Sequence, residues 1–170
     1  YPQGLRLDAS YMPVIESTSA SNLLINKVAP APGGQFVAAG SFRSVDGQLV
    51  NRVARFTSAG AIDPTFVPPA TGLGALLATA VQSDGKVLIG SSTGILGGVG
   101  DSNLGCLVRL NNNGTLDSGF GAGTRIAGGN VNAIVVQPDG KILVGGSFTS
   151  VEDDSTRARL VRLNADGTLD

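Results

Sequence analysis

Short apolar runs joined by polar turns that contain glycine recur along the chain. The clearest pair of runs spans residues 131–137 and 142–148, and the turn sequence PDGK joins them. Two apolar runs on either side of such a turn predict a β-hairpin, because glycine accepts the positive φ that tight hairpin turns need. The same pattern recurs at 76–90 and, less sharply, at 24–42. We name the two predicted strands of each hairpin A and B.

A third apolar run in each period carries an arginine and ends at a second glycine turn. These runs, named strands C, read VARF, LVRL and LVRL, and their turns follow at 59–60, 113–114 and 166–167. A looser fourth strand, D, is predicted at about 13–17, 65–68 and 123–127. Apolar residues do not recur at 3.6-residue spacing over more than a turn or two, so the pattern predicts an all-β fold.

The three periods are copies of one sequence unit. The same position is marked by Asp8, Asp63, Asp117 and Asp170, at spacings of 55, 54 and 53 residues. We therefore predict one domain over 1–170 with repeats at 8–62, 63–116 and 117–170. Four short antiparallel strands in about 40 to 55 residues are typical of one β-propeller blade. A β-solenoid is the alternative, but its coils are shorter, usually parallel and do not need two hairpin turns per period.

The third repeat resembles the delta-sixty repeat, a bacterial β-propeller repeat found in tandem in secreted and surface proteins. The resemblance rests on VNAIVVQPDGKILVGGSFTSV and RARLVRLNADGTLD within 131–170. It extends over nearly the whole chain, clearly in the second repeat and more loosely in the first, and it departs at 91–104 and 56–58. The resemblance implies a β-propeller, an extracellular or bacterial cell-surface location and no particular reaction.

Three blades are fewer than the four to eight of a typical propeller, so we expect further blades to be needed for closure. We predict that residues 1–18 complete, as an outer strand, the blade begun at 131–170, either in a longer ring or in a second copy. Two chains would then make a six-bladed ring. The alternative is that the chain is a piece of a longer tandem array.

Composition and charge exclude several classes of function. The chain has 12 basic and 13 acidic side chains and no block of one sign, so we expect no nucleic-acid partner. No apolar run approaches the roughly 20 residues of a membrane helix, so we expect no membrane insertion. With no histidine and a single cysteine, Cys106, the chain alone cannot build the usual zinc sites, Ser-His-Asp triads or Cys-His pairs. We interpret Cys106 as a small buried apolar residue.

Charged and aromatic residues recur at matched positions in the repeats. Each repeated arginine precedes an aspartate by eight residues, and we interpret the pairs as structural links that hold a turn or bridge strands. Phenylalanines and one tyrosine also recur in register and are interpreted as packing between blades. The arginine and aspartate pairs are Arg55 with Asp63, Arg109 with Asp117 and Arg162 with Asp170, and the aromatic residues are Tyr11, Phe42, Phe66, Phe120 and Phe148.

The loops between strands B and C hold most of the carboxylates that could carry chemistry. The densest cluster is Glu152, Asp153 and Asp154, a candidate site for calcium, although the spacing of an EF-hand is missing. No other cofactor is expected. Two loop carboxylates at about 5 to 9 Å could in principle hydrolyse a glycoside, and Asp46 and Asp101 are the further candidates. Charge solvated on a loop is the simpler interpretation.

These observations predict a non-enzymatic secreted or surface module for structural or adhesive binding. It would present the loops at 43–51, 91–104 and 149–157 to a protein or glycan partner. The alternative is a self-assembling structural subunit, or part of a longer propeller, with no ligand. A hydrolase that uses the loop carboxylates is a distant third hypothesis.

Overall fold

The computed structural model describes residues 15–16, 24–69, 75–92, 106–121 and 125–170. The described strands are β1 Ile15–Glu16, β2 Ile25–Pro30, β3 Phe36–Gly40, β4 Ser44–Val45, β5 Gln48–Leu49, β6 Val53–Phe56, β7 Leu76–Val81, β8 Val87–Ser91, β9 Leu107–Leu110, β10 Ile126–Ala127, β11 Val131–Val136, β12 Ile142–Gly146, β13 Ser150–Val151 and β14 Leu160–Leu163. A single 3₁₀ turn lies at Pro32–Gly34 within this part of the chain. The all-β fold class is therefore confirmed.

Each repeat forms an antiparallel sheet of three strands in the order A, B, C. The sheets are β2-β3-β6, β7-β8-β9 and β11-β12-β14. Their registers are equivalent, because Ala39 pairs with Val53, Gly90 with Leu107 and Gly145 with Leu160. The register between the A and B strands shifts once at the same point of every sheet. The predicted hairpins and C strands thus lie where the sequence pattern placed them.

The segments predicted as fourth strands do not extend these sheets. β1 and β10 pair with β4 and β13, which lie in the loops between strands B and C. Residues 65–68 form no strand, and the Val67 amide instead donates to the Asn113 carbonyl of the second repeat. Residues 15–16 thus pair within the first repeat. The rest of 1–18 lies outside the described residues, so its place in the blade begun at 131–170 stays a prediction.

Two of the three hydrophobic clusters lie between neighbouring repeats rather than inside one. The first joins the sheets of repeats one and two and includes Ala39, Phe66 and Leu76. The second joins repeats two and three and includes Leu88, Phe120 and Val131. The third belongs to the first repeat and surrounds Phe42 and Phe56. Neighbouring sheets therefore bury their apolar faces against each other, as blades of a propeller do.

Among the described residues, no helix has the length and apolar character needed to cross a membrane.

Candidate functional site

The repeated arginines form ion pairs with the aspartates eight residues later. Arg55 Nε lies 2.8 Å from Asp63 Oδ2, and Arg109 Nε lies 2.9 Å from Asp117 Oδ2. The third pair, Arg162 and Asp170, is joined at 2.5 Å. Each pair closes the turn after strand C, because the arginine lies on that strand and the aspartate follows the turn.

A third side chain joins each aspartate from the turn between strands A and B. Lys86 Nζ lies 2.9 Å from Asp117 Oδ2, and Lys141 Nζ lies 2.5 Å from Asp170 Oδ1. In the first repeat Gln35 takes this position and donates to Asp63 at 3.4 Å. Lys86, Lys141 and Gln35 were not among the residues predicted to join these pairs. They follow the glycine of each A–B turn at matched positions, and this repetition is the feature of the sequence that marks them. The A–B turns by themselves predict only the hairpins.

The arginines of the first two repeats also reach into the following repeat. Arg55 Nη1 donates to the side-chain oxygen of Asn112 at 2.9 Å, and Arg109 Nη1 donates to the Ala165 carbonyl at 2.7 Å. Asn112 and Ala165 occupy the same position in the turn after strand C. Gln82 supports this junction, since it accepts from Arg109 Nη1 and donates to the same Ala165 carbonyl.

Each of these two guanidinium groups lies over an aromatic ring. The Arg55 Cζ atom is 5.0 Å from the centre of the Phe66 ring, and the Arg109 Cζ atom is 4.4 Å from that of Phe120. These are cation–π distances. Phe66 and Phe120 thus pack at the junctions between repeats, whereas Tyr11, predicted to act in the same way, lies outside the described residues.

The aspartates at these junctions are held ionised. Burial raises the pKa of Asp63, but hydrogen bonds from Thr65 and Arg55 outweigh burial and lower that pKa below its ordinary value. Burial likewise raises the pKa of Asp117, and the hydrogen bonds from Lys86 and Arg109 more than reverse the effect. A carboxylate held by two cations is a poor proton donor and a poor base near neutral pH. The junctions are therefore built as structural links rather than as acid–base sites.

The acidic cluster of the third repeat forms a tight turn. Glu152 and Asp153 have φ of 53° and 63°, and they form the two-residue turn between the paired residues Val151 and Asp154. Positive φ at both central residues is the geometry of tight hairpin turns. Asp153 pairs with Arg125. In the described part of the chain no group of three acidic, histidine or cysteine side chains is placed to hold a metal ion. The geometry therefore gives the calcium hypothesis for Glu152, Asp153 and Asp154 no support, and it stays a prediction.

Asp154 already has partners for both of its oxygens. Its Oδ1 accepts from the Thr156 amide and hydroxyl, and its Oδ2 lies 3.0 Å from Arg157 Nε. These hydrogen bonds lower its pKa. Asp46 lies in the matching turn of the first repeat with a φ of 48°, and Asp101 lies outside the described residues.

Cys106 is buried, as interpreted from the sequence. Its sulfur lies 2.8 Å from the Gly129 carbonyl oxygen, and burial raises the pKa of the thiol. A buried thiol with a raised pKa is a weak nucleophile.

A groove opens beside the loop between strands B and C of the first repeat. Its volume is about 440 Å³, and it is lined on one side by this loop and on the other by the segment that crosses to the second repeat. Leu49 and Val67 present apolar surface there, and Leu49 is 86% exposed. Arg43, Gln48 and Asn51 supply polar groups. The groove therefore gives the first of the three predicted loops a shape able to receive a ligand.

One comparison with known proteins gives a match. The model of a family described as "Domain of unknown function (DUF5122) beta-propeller" matches residues 32–66, 82–120 and 137–170, which together make up more than half of the chain. Each matched segment runs from a turn between strands A and B to the aspartate of the ion pair or just beyond it. A search of curated proteins gives no match.

Proposed function

Because the chain belongs to the DUF5122 beta-propeller family, we propose that it is a non-enzymatic β-propeller module that binds a protein partner outside the cell or on its surface. The assignment of its repeats to the delta-sixty type and the extracellular location are parts of this proposal. Both are supported by the motifs within 131–170.

The observation that carries the binding role is the groove beside the first-repeat loop. An exposed leucine is ordinary by itself, but Leu49 and Val67 are both exposed and line one concave surface. Concave apolar surfaces with a few polar groups are typical of binding sites. Asp63 is the carboxylate among the described residues that line the groove. Because it forms an ion pair with Arg55, it is not placed for catalysis.

An extended peptide suits this groove better than a sugar. β5 lies at the edge of the sheet β1-β4-β5, and an edge strand can pair with an added peptide strand. Stacking on a sugar ring needs an exposed aromatic face. The aromatic residue of the described groove, Phe66, is buried beneath Arg55. We therefore propose a peptide segment with an apolar side chain as the ligand and keep a glycan as the alternative outcome.

The test is selection of a displayed random-peptide library on the immobilised chain, with a glycan array probed in parallel. Peptides enriched by the wild-type chain should lose binding to the Leu49→Ser and Val67→Ser variants. The matched control is Leu24→Ser, because Leu24 is also exposed and lies outside the groove.

Loss of peptide binding in both groove variants, with retention in the control, would support the proposal. Peptides that bind all variants equally would overturn the groove as the site. Glycan binding abolished by the same two substitutions would replace the peptide with a sugar as the ligand.

A further inference from the structure

The third repeat exposes positions that the first two repeats bury. Leu160 is 67% exposed, whereas Leu107, its equivalent in the second repeat, is 7% exposed. The Arg162 side chain is 50% exposed, whereas that of Arg109 is 9% exposed. In the second repeat these positions face the third repeat. We call the exposed face of the third repeat the forward face. It carries the residue types that the second repeat buries in its junction with the third.

A buried hydrogen-bond acceptor lies at this forward face without a partner. In the second repeat Gln82 Oε1 accepts from Arg109, and Gln82 and Arg109 both donate to the Ala165 carbonyl of the next repeat. The equivalent atom of the third repeat, Gln137 Oε1, is buried and has no hydrogen-bond partner among the described residues. Native proteins rarely leave buried polar atoms unpaired. Gln137 and Arg162 thus correspond to Gln82 and Arg109, but no turn of a following repeat lies against them in the described chain.

The first repeat exposes the complementary positions on its opposite face. Val28 is 57% exposed, while its equivalents Thr79 and Ile134 are largely buried. Ile25 is also exposed, whereas its equivalents are fully buried against the preceding repeat. We call this surface the backward face. The first repeat also carries, at Ser58, the turn position that Asn112 and Ala165 occupy.

We propose that a second copy of this chain packs its backward face on the forward face of the first copy, in the register that already joins the repeats. Arg162 and Gln137 of one copy would bind the turn at Ser58 of the other, and Ile25 would lie against Gly145. Two such contacts close two copies into a ring of six blades, within the range of known propellers. The inference is independent of any ligand in the groove.

Gly145 lies at the position that contacts the following repeat in both existing junctions, where the equivalent residues are the small Ala39 and Gly90. In the second repeat the equivalent Gly90 is packed so closely that an added Cβ would lie 2.5 Å from Val131 Cγ1. At Gly145 an added Cβ would meet nothing closer than 3.8 Å. A larger side chain at Gly145 therefore fits in the single chain but blocks a neighbouring repeat.

The experiment measures native mass by light scattering during size-exclusion chromatography over a range of concentrations. The wild-type chain should form a particle of twice the 17.1 kDa chain mass. Gly145→Leu and Ile25→Asp should each weaken association at least about thirtyfold while leaving the circular dichroism spectrum unchanged. Arg162→Ala should weaken it about tenfold.

Mixing the two interface variants gives the decisive result. In a closed pair of Gly145→Leu and Ile25→Asp chains, one contact carries both substitutions and the other is wild type. The mixture should therefore form pairs at concentrations where neither variant does so alone. A wild-type chain that stays monomeric at high concentration would overturn the proposal, and so would pairing that Gly145→Leu leaves intact. Failure of the mixture to pair would also overturn it. Peptide binding by the monomeric Gly145→Leu variant tests the groove separately.

Discussion

Arg109 in the second repeat donates a 2.7 Å hydrogen bond from Nη1 to the backbone carbonyl of Ala165 in the third. The same guanidinium binds Asp117 and lies over the ring of Phe120. One side chain therefore holds the turn of its own repeat and fastens that repeat to the next. The stability of this junction should therefore depend on Arg109 as well as on the apolar cluster around it.

Removal of Arg109 should destabilise the chain strongly. Arg109→Ala leaves Asp117 largely buried with Lys86 as its remaining partner, and loss of one member of a buried pair costs about 3 kcal/mol or more. Urea unfolding followed by circular dichroism measures the change. The control is Arg162→Ala, with both substitutions made in the monomeric Gly145→Leu variant, where an exposed pair is lost and about 1 kcal/mol or less is expected. Equal effects of the two substitutions would contradict this account.

Gly114 should tolerate alanine less well than Gly33 does. Both glycines have positive φ, at 87° and 71°, so alanine costs roughly 1–2 kcal/mol at either position. At Gly114 the added Cβ would also lie 2.6 Å from the Val67 backbone nitrogen, whereas at Gly33 nothing lies within 4 Å. Gly114→Ala should therefore lower the free energy of unfolding by at least about 1 kcal/mol more than Gly33→Ala does. Thermal denaturation of the two variants checks the difference.

Acid should destabilise the chain partly through Asp117. Although burial raises the pKa of Asp117, hydrogen bonds from Lys86 and Arg109 leave it lower in the folded state than in the unfolded state. The stabilisation is therefore present above the unfolded pKa of about 3.9 and is lost as the pH falls through the folded pKa. The wild-type chain should be more stable than Asp117→Asn at pH 7, and the gap should narrow below about pH 4. A gap that stays constant in urea unfolding down to pH 2 would contradict the prediction.

Cys106 should react slowly with a thiol reagent while the chain is folded. The side chain is buried and burial raises its pKa, so the reagent has little access to the sulfur and only a small fraction of the thiol is ionised. Modification by a disulfide reagent at pH 8 should be at least about 100-fold slower than in denaturant. Reaction at the rate of free glutathione would show that the strand containing Cys106 opens readily.

Calcium should not change the thermal stability of the chain. Glu152 and Asp153 form a turn, and Asp153 and Asp154 are paired with arginines. A ligand that binds only the folded state raises the melting temperature, so the comparison of millimolar calcium with chelator is a direct test. A rise in melting temperature with calcium that is lost in Asp153→Asn would restore the metal hypothesis.

The hairpins and C strands could be predicted because their signals are local. An apolar run, a turn with glycine and a second run determine a hairpin within a few residues, and β11 and β12 lie within the runs predicted at 131–148. The pairing of Arg55 with Asp63 was also open to prediction, since both positions recur in every repeat.

The long-range partners could not be predicted in this way. The bond from Arg55 to Asn112 joins residues 57 positions apart, and it depends on how one sheet packs on the next. The turn at Glu152 and Asp153 could not be predicted, because the left-handed backbone of these two residues leaves no signal in a sequence that reads as an acidic cluster. Strands were predicted correctly at 15–16 and 126–127, but they pair with β4 and β13 instead of extending the three-stranded sheets. The strand predicted at 65–68 does not form, because the chain turns after Asp63, whose carboxylate accepts a hydrogen bond from the Thr65 amide, and crosses to the next repeat.

The sharing of hydrophobic clusters between repeats makes the junction the cooperative unit of unfolding. In a chain of such units each repeat draws part of its stability from its neighbours, so local opening costs least where a neighbour is missing. Among the described repeats, the second has a packed neighbour on both sides and the third has one. In the monomer, amide protons of β8 should therefore exchange with solvent more slowly than those of β14. A repeat packed on the forward face should slow the exchange of β14 without any change in its own sequence.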